Sequence, residues 1–116
     1  MNRELKSIFD GGITVGGEVI PVSHIRYTGK SSKYVLWTIT DEFPTAAADD
    51  EFNYSIITVD IDIYTPENLN DIKRAIMSLM RSNEWKWLET SPEMYEEDTK
   101  LFHRTITFEK EEFING

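Results

Sequence analysis

Two aspartates on a predicted strand are the first place where the sequence could carry chemistry. Asp60 and Asp62 alternate with Val59, Ile61 and Ile63, and a period of two places both carboxylates on the same face of a strand. Paired carboxylates can bind a divalent cation or share acid–base work. Two ligands are too few for a metal cage, however, and the sequence has no histidine or third acid at a helpful spacing. We therefore interpret the pair as the solvated face of an amphipathic strand.

The remaining reactive residues also lack the partners that catalysis needs. His24 and His103 are the two histidines, and the sequence contains no G-x-S-x-G or H-E-x-x-H motif around a nucleophile or a metal. His103 lies in a predicted strand, where cross-strand packing or a hydrogen bond explains it. The glycine pairs lack the Gly-Lys-Ser/Thr ending of a phosphate-binding loop. We predict no catalytic residue, no cofactor and no metal site, and a protein that is not an enzyme.

Composition narrows the class of protein further. The chain has 116 residues, no cysteine and a formal charge of -9, which predicts one domain over residues 1–116 without disulfides or thiolate metal sites. A negative chain should not bind nucleic acid by neutralising phosphates. The sequence shows neither a secretory signal nor an apolar run of the roughly 20 residues that a membrane span needs. These features fit a protein made in a reducing cytosol that does not bind membranes.

The elements that must position these residues centre on residues 53–83. The alternating strand is followed by Thr65-Pro66-Glu67, which predicts a helix start, since threonine suits the N-cap and proline the first helical position. Apolar residues at helical spacing then predict one buried stripe, formed by Leu69, Ile72, Ile76, Leu79 and Met80.

The other segments predict the rest of an α+β fold, a mainly antiparallel twisted β-sheet with the central amphipathic helix packed on one face and a short N-terminal helix. A polar loop that carries acids and no bases is predicted for residues 41–52, and a tail for 111–116. The predicted elements are a helix at 2–9, a hairpin at 13–15 and 18–22 with Pro21 at an edge, and strands at 34–40, 54–64, 83–90 and 100–109.

Three groups of residues are candidates for an interface. Asp49, Asp50 and Glu51 lie in the acidic loop, which is long for a connection between two strands and is the best candidate for a partner arm. Trp85 and Trp87, two apart, are predicted on one face of a short strand, either as core or as an aromatic anchor for a partner. Residues 23–33 carry bases and no acid, with the candidates Arg26, Lys30 and Lys33.

Several phrases taken in order resemble a known family. They are Tyr34-Val-Leu-Trp-Thr-Ile-Thr-Asp-Glu, Asp49-Asp-Glu, Val59-Asp-Ile-Asp-Ile-Tyr64, Glu84-Trp-Lys-Trp, Pro92-Glu-Met-Tyr-Glu-Glu-Asp and Leu101-Phe-His-Arg-Thr-Ile-Thr-Phe-Glu109. Over about residues 19–109 the chain resembles the small tail-completion, or tail-terminator, proteins of long-tailed phages and prophages of Gram-positive bacteria.

The resemblance implies a structural protein of virion assembly. Such proteins form rings, usually homohexamers, which end polymerisation of the tail tube and present the head–tail joining surface. The implied partners are further copies of the chain, the tail-tube protein and a head-completion or connector protein, with DNA passing through the lumen without specific binding. The implied location is the head–tail interface of the virion tail, after synthesis in the host cytoplasm. The family has no catalytic residues, so Trp37, Tyr64, Trp85 and Trp87 would be fold or ring-interface residues.

In such a ring, the basic segment of one subunit could pair with the acidic loop of the next, fixing register and orientation. Two alternative functions remain open. The chain could be a head-closure or neck subunit of the same machinery, or an acidic inhibitor that mimics DNA. Mimicry requires carboxylates spaced like phosphates over one surface.

Overall fold

The computed structural model of the chain describes residues 3–46 and 53–114, and it confirms the predicted α+β class. Its strands form a two-stranded sheet, β1–β2, and a larger twisted sheet in the order β3-β4-β5-β8-β6, with β7 also paired to β8. All pairs are antiparallel except β3–β4. The elements are α1 (Arg3–Ile8), β1 (Ile13–Val15), β2 (Glu18–Ile20), β3 (Val22–His24), β4 (Tyr34–Ala46), β5 (Asn53–Thr65), α2 (Asn70–Ser82), β6 (Lys86–Thr90), β7 (Met94–Glu96) and β8 (Leu101–Ile114).

The centre of the large sheet is the pair β5–β8, and its alternation is as predicted. Val59 lies opposite Phe108 and Ile61 opposite Ile106, and all four side chains are fully buried. Directly opposed residues share a face of an antiparallel sheet, so these residues form one apolar surface. The alternating polar residues of both strands face the other way.

Helix α2 contributes the predicted apolar stripe, but it begins later than predicted. Ile72, Ile76 and Met80 are buried. The predicted N-cap, Thr65, is instead the last residue of β5, where it pairs with Phe102. The helix begins at Asn70. Residues 66–69 connect the end of β5 to the helix, so the proline lies in this connection and does not open the helix.

The three longest strands extend past the predicted boundaries. Residues 41–46, predicted as part of an acidic loop, continue β4 after a register shift between Ile39 and Asp41. Residues 111–114, predicted as a tail, continue β8 opposite β5. These extensions are polar or irregular in sequence, so local propensity does not indicate strands there. They form strands because β5, which lies between them, supplies their hydrogen-bonding partners. The molecule is accordingly elongated, at 53 × 26 × 24 Å.

Two short strands occur where no strand was predicted, except that Val22 of β3 belonged to the predicted hairpin. β3 runs parallel to β4, and β7 pairs with the first residues of β8. Each has three residues, too few for an alternation to be recognisable. The predicted hairpin is confirmed as β1–β2, with Ile13 opposite Ile20. Pro21 lies between β2 and the edge strand β3, which agrees with its predicted place at an edge.

The N-terminal helix is held against the end of the core. Leu5 and Phe9 are buried. Trp85 Nε1 donates to Glu4 Oε1 at 2.8 Å, and Lys110 Nζ donates to the same oxygen at 2.6 Å. Residues from α1, β8 and the connection before β6 therefore share one polar cluster. Neither helix within the described ranges is long and apolar enough to cross a membrane.

Replacing Gly12 by alanine should destabilise the hairpin region more than the same change at Gly11. Both glycines have positive φ, at 84° and 79°, so either substitution costs about 1–2 kcal/mol of backbone strain. A Cβ at Gly12 would also collide with the backbone carbonyl of Ile20, whereas a Cβ at Gly11 meets nothing within 4 Å. Urea unfolding of both variants measures the difference, and equal losses would contradict this account.

Candidate functional site

The outer face of the large sheet, away from α2, carries the two aspartates in cross-strand hydrogen bonds. Thr107 Oγ1 donates to Asp60 Oδ1 at 2.7 Å. Thr105 Oγ1 donates to Asp62 Oδ1 at 2.5 Å, and His103 Nε2 lies 3.0 Å from the same oxygen. The carboxylates on β5 therefore connect it to β8. This agrees with the interpretation of a polar strand face and with a hydrogen-bonding role for His103.

The Asp62 cluster contains a carboxylate, a histidine and a hydroxyl, but not in the arrangement of a hydrolytic triad. In a triad the hydroxyl donates to the histidine, and the carboxylate holds the other ring nitrogen. Here Thr105 donates directly to Asp62, so the carboxylate binds both partners, and among the described residues no hydroxyl donates to the histidine. The arrangement ties strands together rather than preparing a nucleophile. Within the described ranges, no group of three or more histidine or acidic side chains could hold a metal ion.

A row of stacked rings crosses the same face. Tyr34 lies 4.9 Å from Tyr64, and Tyr64 lies 4.3 Å from His103, measured between ring centroids. Tyr27 stacks on Tyr34 at 4.8 Å. No local pattern in the sequence indicates this row, because the row depends on the register that places Tyr34 and His103 on either side of Tyr64. These offset stacks add to the stability of the outer face.

Tyr64 should make stability fall in strong alkali. Burial, and secondarily the charges of Asp62 and Glu96, raise the pKa of Tyr64 to about 12 from 10.0. Because the folded pKa exceeds the unfolded one, this contribution is fully present below pH 10.0 and is lost as pH rises through about 12. Urea unfolding across this range should show a smaller loss for Tyr64→Phe than for wild type. The exposed Tyr95→Phe is the control, and equal slopes for all three proteins would contradict the prediction.

The two candidate tryptophans are separated by the structure. They were predicted on one strand face, but Trp85 precedes β6, where its backbone N–H donates to Met80 at the end of α2. Its side chain is 3% exposed, against 45% for Trp87. Trp85 is thus a core residue, and Trp87 is free to be a contact residue. The turn through Glu84, with φ 67°, removes the alternation that the prediction assumed.

The three basic candidates also differ in their surroundings. Lys33 Nζ binds Glu18 at 2.8 Å and Glu67 at 3.0 Å, and hydrogen bonding to Glu18 and then Glu67 raises its pKa. Lys33 therefore joins the hairpin to the β5–α2 connection within one chain. Arg26 and Lys30 are exposed and make no ion pair with any other described residue.

Asp49, Asp50 and Glu51 lie outside the described residues. The extensions of β4 and β8, which lie at the same end of the sheet, also carry acids. Glu42 and Glu112 lie opposite Ile57 and Ser55 on the α2 side, while Asp41 and Glu111 lie opposite Thr58 and Ile56 on the outer face. Because successive side chains of a strand point to opposite faces, these carboxylates lie on both faces of the sheet.

A cavity of about 490 Å³ opens beside these extensions, between residues of α1 and the sheet. Among the described residues that line it, none carries a hydroxyl or a thiol. Its lining is Arg3, Glu4, His24, Ile39, Glu42, Ile57 and Glu112.

The feature that sequence reasoning missed is the pair of lateral sheet edges. Four large apolar side chains are exposed along β6 and β7, namely Trp87, Leu88, Met94 and Tyr95, with exposed fractions of 45%, 38%, 47% and 45%. At the opposite edge, directly after β3, Ile25 is 57% exposed. Exposed apolar residues grouped on an open edge are typical of interaction sites. Consecutive Trp87 and Leu88 were the available signal, since two apolar neighbours cannot both face the core from a regular strand.

Comparison with known proteins identifies a family whose function is unknown. A family model described as "Protein of unknown function (DUF806)" matches residues 13–112. No curated protein matched the chain.

Proposed function

The chain belongs to the DUF806 family, and we propose that it is a structural tail-completion, or tail-terminator, protein of a long-tailed phage or prophage. It forms a homomeric ring, a closed head-to-tail assembly, that ends tail-tube polymerisation and offers a surface for head joining. The observation that carries the proposal is the pair of unlike lateral edges of one sheet, one with four exposed apolar side chains and the other with the exposed Ile25. The resemblance in sequence directs it to the tail machinery.

The two edges differ in structure, which favours a head-to-tail contact. One edge is β3 with Ile25, and the other is β6 with β7, at opposite ends of the strand order. A contact between unlike surfaces is heterologous, and repetition of such a contact produces a ring or a filament. A two-fold dimer would instead bury the same edge of both subunits.

The register of the sheet places its two lateral edges level along the strands. His24 lies opposite Trp37, Trp37 opposite Ile61, Ile61 opposite Ile106, and Ile106 opposite Thr90. One row of paired residues therefore joins the end of β3 to the end of β6. A heterologous contact forms a ring where its rotation closes and a filament where it does not, and the resemblance in sequence directs the proposal to the ring.

The negative charge is compatible with DNA passing through such a ring. The strand extensions carry Asp41, Glu42, Glu111 and Glu112, and carboxylates near a DNA path repel phosphates instead of binding them. Their distribution over both faces of the sheet also disfavours DNA mimicry, which needs them on one surface. A head-closure or neck subunit remains the alternative within the same machinery.

Native mass spectrometry and negative-stain imaging test the proposal. The purified chain, alone and mixed with the tail-tube protein of the same phage, should give closed rings in at least one condition. The ring should cap tubes and limit their length. A chain that stays monomeric in both conditions overturns the proposal. Capture by portal-side proteins with no effect on tubes would instead identify the neck subunit.

A further inference from the structure

We infer that the subunit contact of this ring joins the turn after β3 of one copy to the β6–β7 edge of the next, through Ile25 and its basic neighbours. The inference rests on the proposed function, since it identifies the surfaces by which the ring would close. It also differs from the pairing expected from sequence, because the acidic partner surface is the β6–β7 edge and not residues 41–52.

The turn after β3 holds Ile25 outward at a conformational cost. Ile25 has φ 70°, and the Arg26 N–H donates to the His24 carbonyl at 2.8 Å. This is the rare γ-turn with a positive φ at its central residue, and it is strained for a β-branched side chain. The side chain gains little burial in return, because it is 57% exposed. Strain of this kind is maintained where it serves a site, and here it presents an apolar side chain beside Arg26.

The β6–β7 edge offers the complementary surface. Its four exposed apolar side chains are accompanied by exposed acids: Glu89 lies in β6, Glu93 directly precedes β7 and Glu97 directly follows it. Among the described residues, these three carboxylates make no ion pair. Within the described part of the chain, bases without an ion pair at one edge thus correspond to acids without one at the other.

Charge and apolar character together select a second copy of this chain as the occupant. Ile25 would pack against Trp87 and Leu88, while Arg26 and Lys30 would meet the acids of the edge. Opposite charges at the border of an apolar contact fix orientation and disfavour wrong partners. Lys33 takes no part, because Glu18 and Glu67 already bind it.

A charge exchange tests the contact in the full-length chain. Arg26→Glu with Lys30→Glu should raise the concentration at half-assembly by about tenfold or more, because like charges would then face each other. Adding Glu89→Lys with Glu93→Lys should restore assembly. Lys6→Glu with Arg74→Glu changes the net charge equally from the two helices and should leave assembly unchanged. Native mass spectrometry, with the tail-tube protein where wild type needs it, provides the measurement.

Crosslinking separates the head-to-tail contact from a two-fold one, since the chain has no cysteine. Ile25→Cys combined with Leu88→Cys should give a ladder of covalent oligomers with a short bismaleimide, whereas either single variant should give none. Dimers from Ile25→Cys alone overturn the inference. Wild-type rings that are insensitive to the charge exchange also overturn it and leave the proposed function standing. A wild-type chain that never assembles overturns both.

Discussion

Replacing Trp85 by alanine should lower the free energy of unfolding by about 3–5 kcal/mol, the cost typical of deleting a buried tryptophan. Trp85 is 3% exposed, its Nε1 donates to Glu4 at 2.8 Å, and Lys110 Nζ lies 5.8 Å from its ring centroid. Its loss would leave a cavity and would also release α1 from the core. Chemical denaturation followed by circular dichroism provides the measurement.

Trp87→Ala is the matched control, and we expect it to have a small effect on stability and a larger effect on assembly. Trp87 is 45% exposed, so its removal should lower the free energy of unfolding by clearly less than the removal of Trp85. It should nevertheless weaken ring assembly, because Trp87 belongs to the apolar edge. Similar stability losses for the two variants would contradict the different positions of these tryptophans.

Phe108→Ala should have an effect of similar size, again about 3–5 kcal/mol. Phe108 is fully buried in the middle of the sheet, opposite Val59 on one side and Trp87 on the other. The surrounding strands are held by long hydrogen-bonded ladders and cannot collapse into the space that the ring leaves.

Phe102→Ala on the same strand is the comparison for Phe108. Phe102 is partly buried near the end of the ladder, with its ring 5.0 Å from that of Tyr95. Its truncation should cost clearly less than that of Phe108, because water can replace part of the lost contact. Urea unfolding of both variants gives the comparison, and an equal cost would contradict the assignment of Phe108 to the centre of the core.

The sequence predicted most reliably where burial is one-sided and the element is long. Val59, Ile61 and Ile63 alternate with polar residues over enough positions to establish a strand, and Ile72, Ile76 and Met80 repeat at helical spacing. In both cases the hydrophobic pattern and the observed burial agree. The same pattern led to the interpretation of Asp60 and Asp62 as the polar face of a strand.

Prediction failed where the partner strand, not local sequence, decides the structure. Residues 41–46 and 111–114 lack clear alternation and are strands because β5 lies between them. Thr65 has the chemistry of an N-cap but is used by β5 instead, since its pairing with Phe102 continues the ladder. The three-residue strands β3 and β7 are too short to carry a pattern at all.

The sequence by itself determined the α+β class, the apolar face of the central strand and the helix that covers it, because periodicity encodes which side of an element is buried. The tertiary structure alone decided what the polar positions do. Register brought His103 and Thr105 to Asp62, and a turn at Glu84 sent Trp85 into the core and Trp87 to an edge. Contacts between strands depend on residues far apart in the chain, and no local spacing records them. For the same reason, only the fold shows that the two edges of the sheet differ, and the proposed ring depends on that difference.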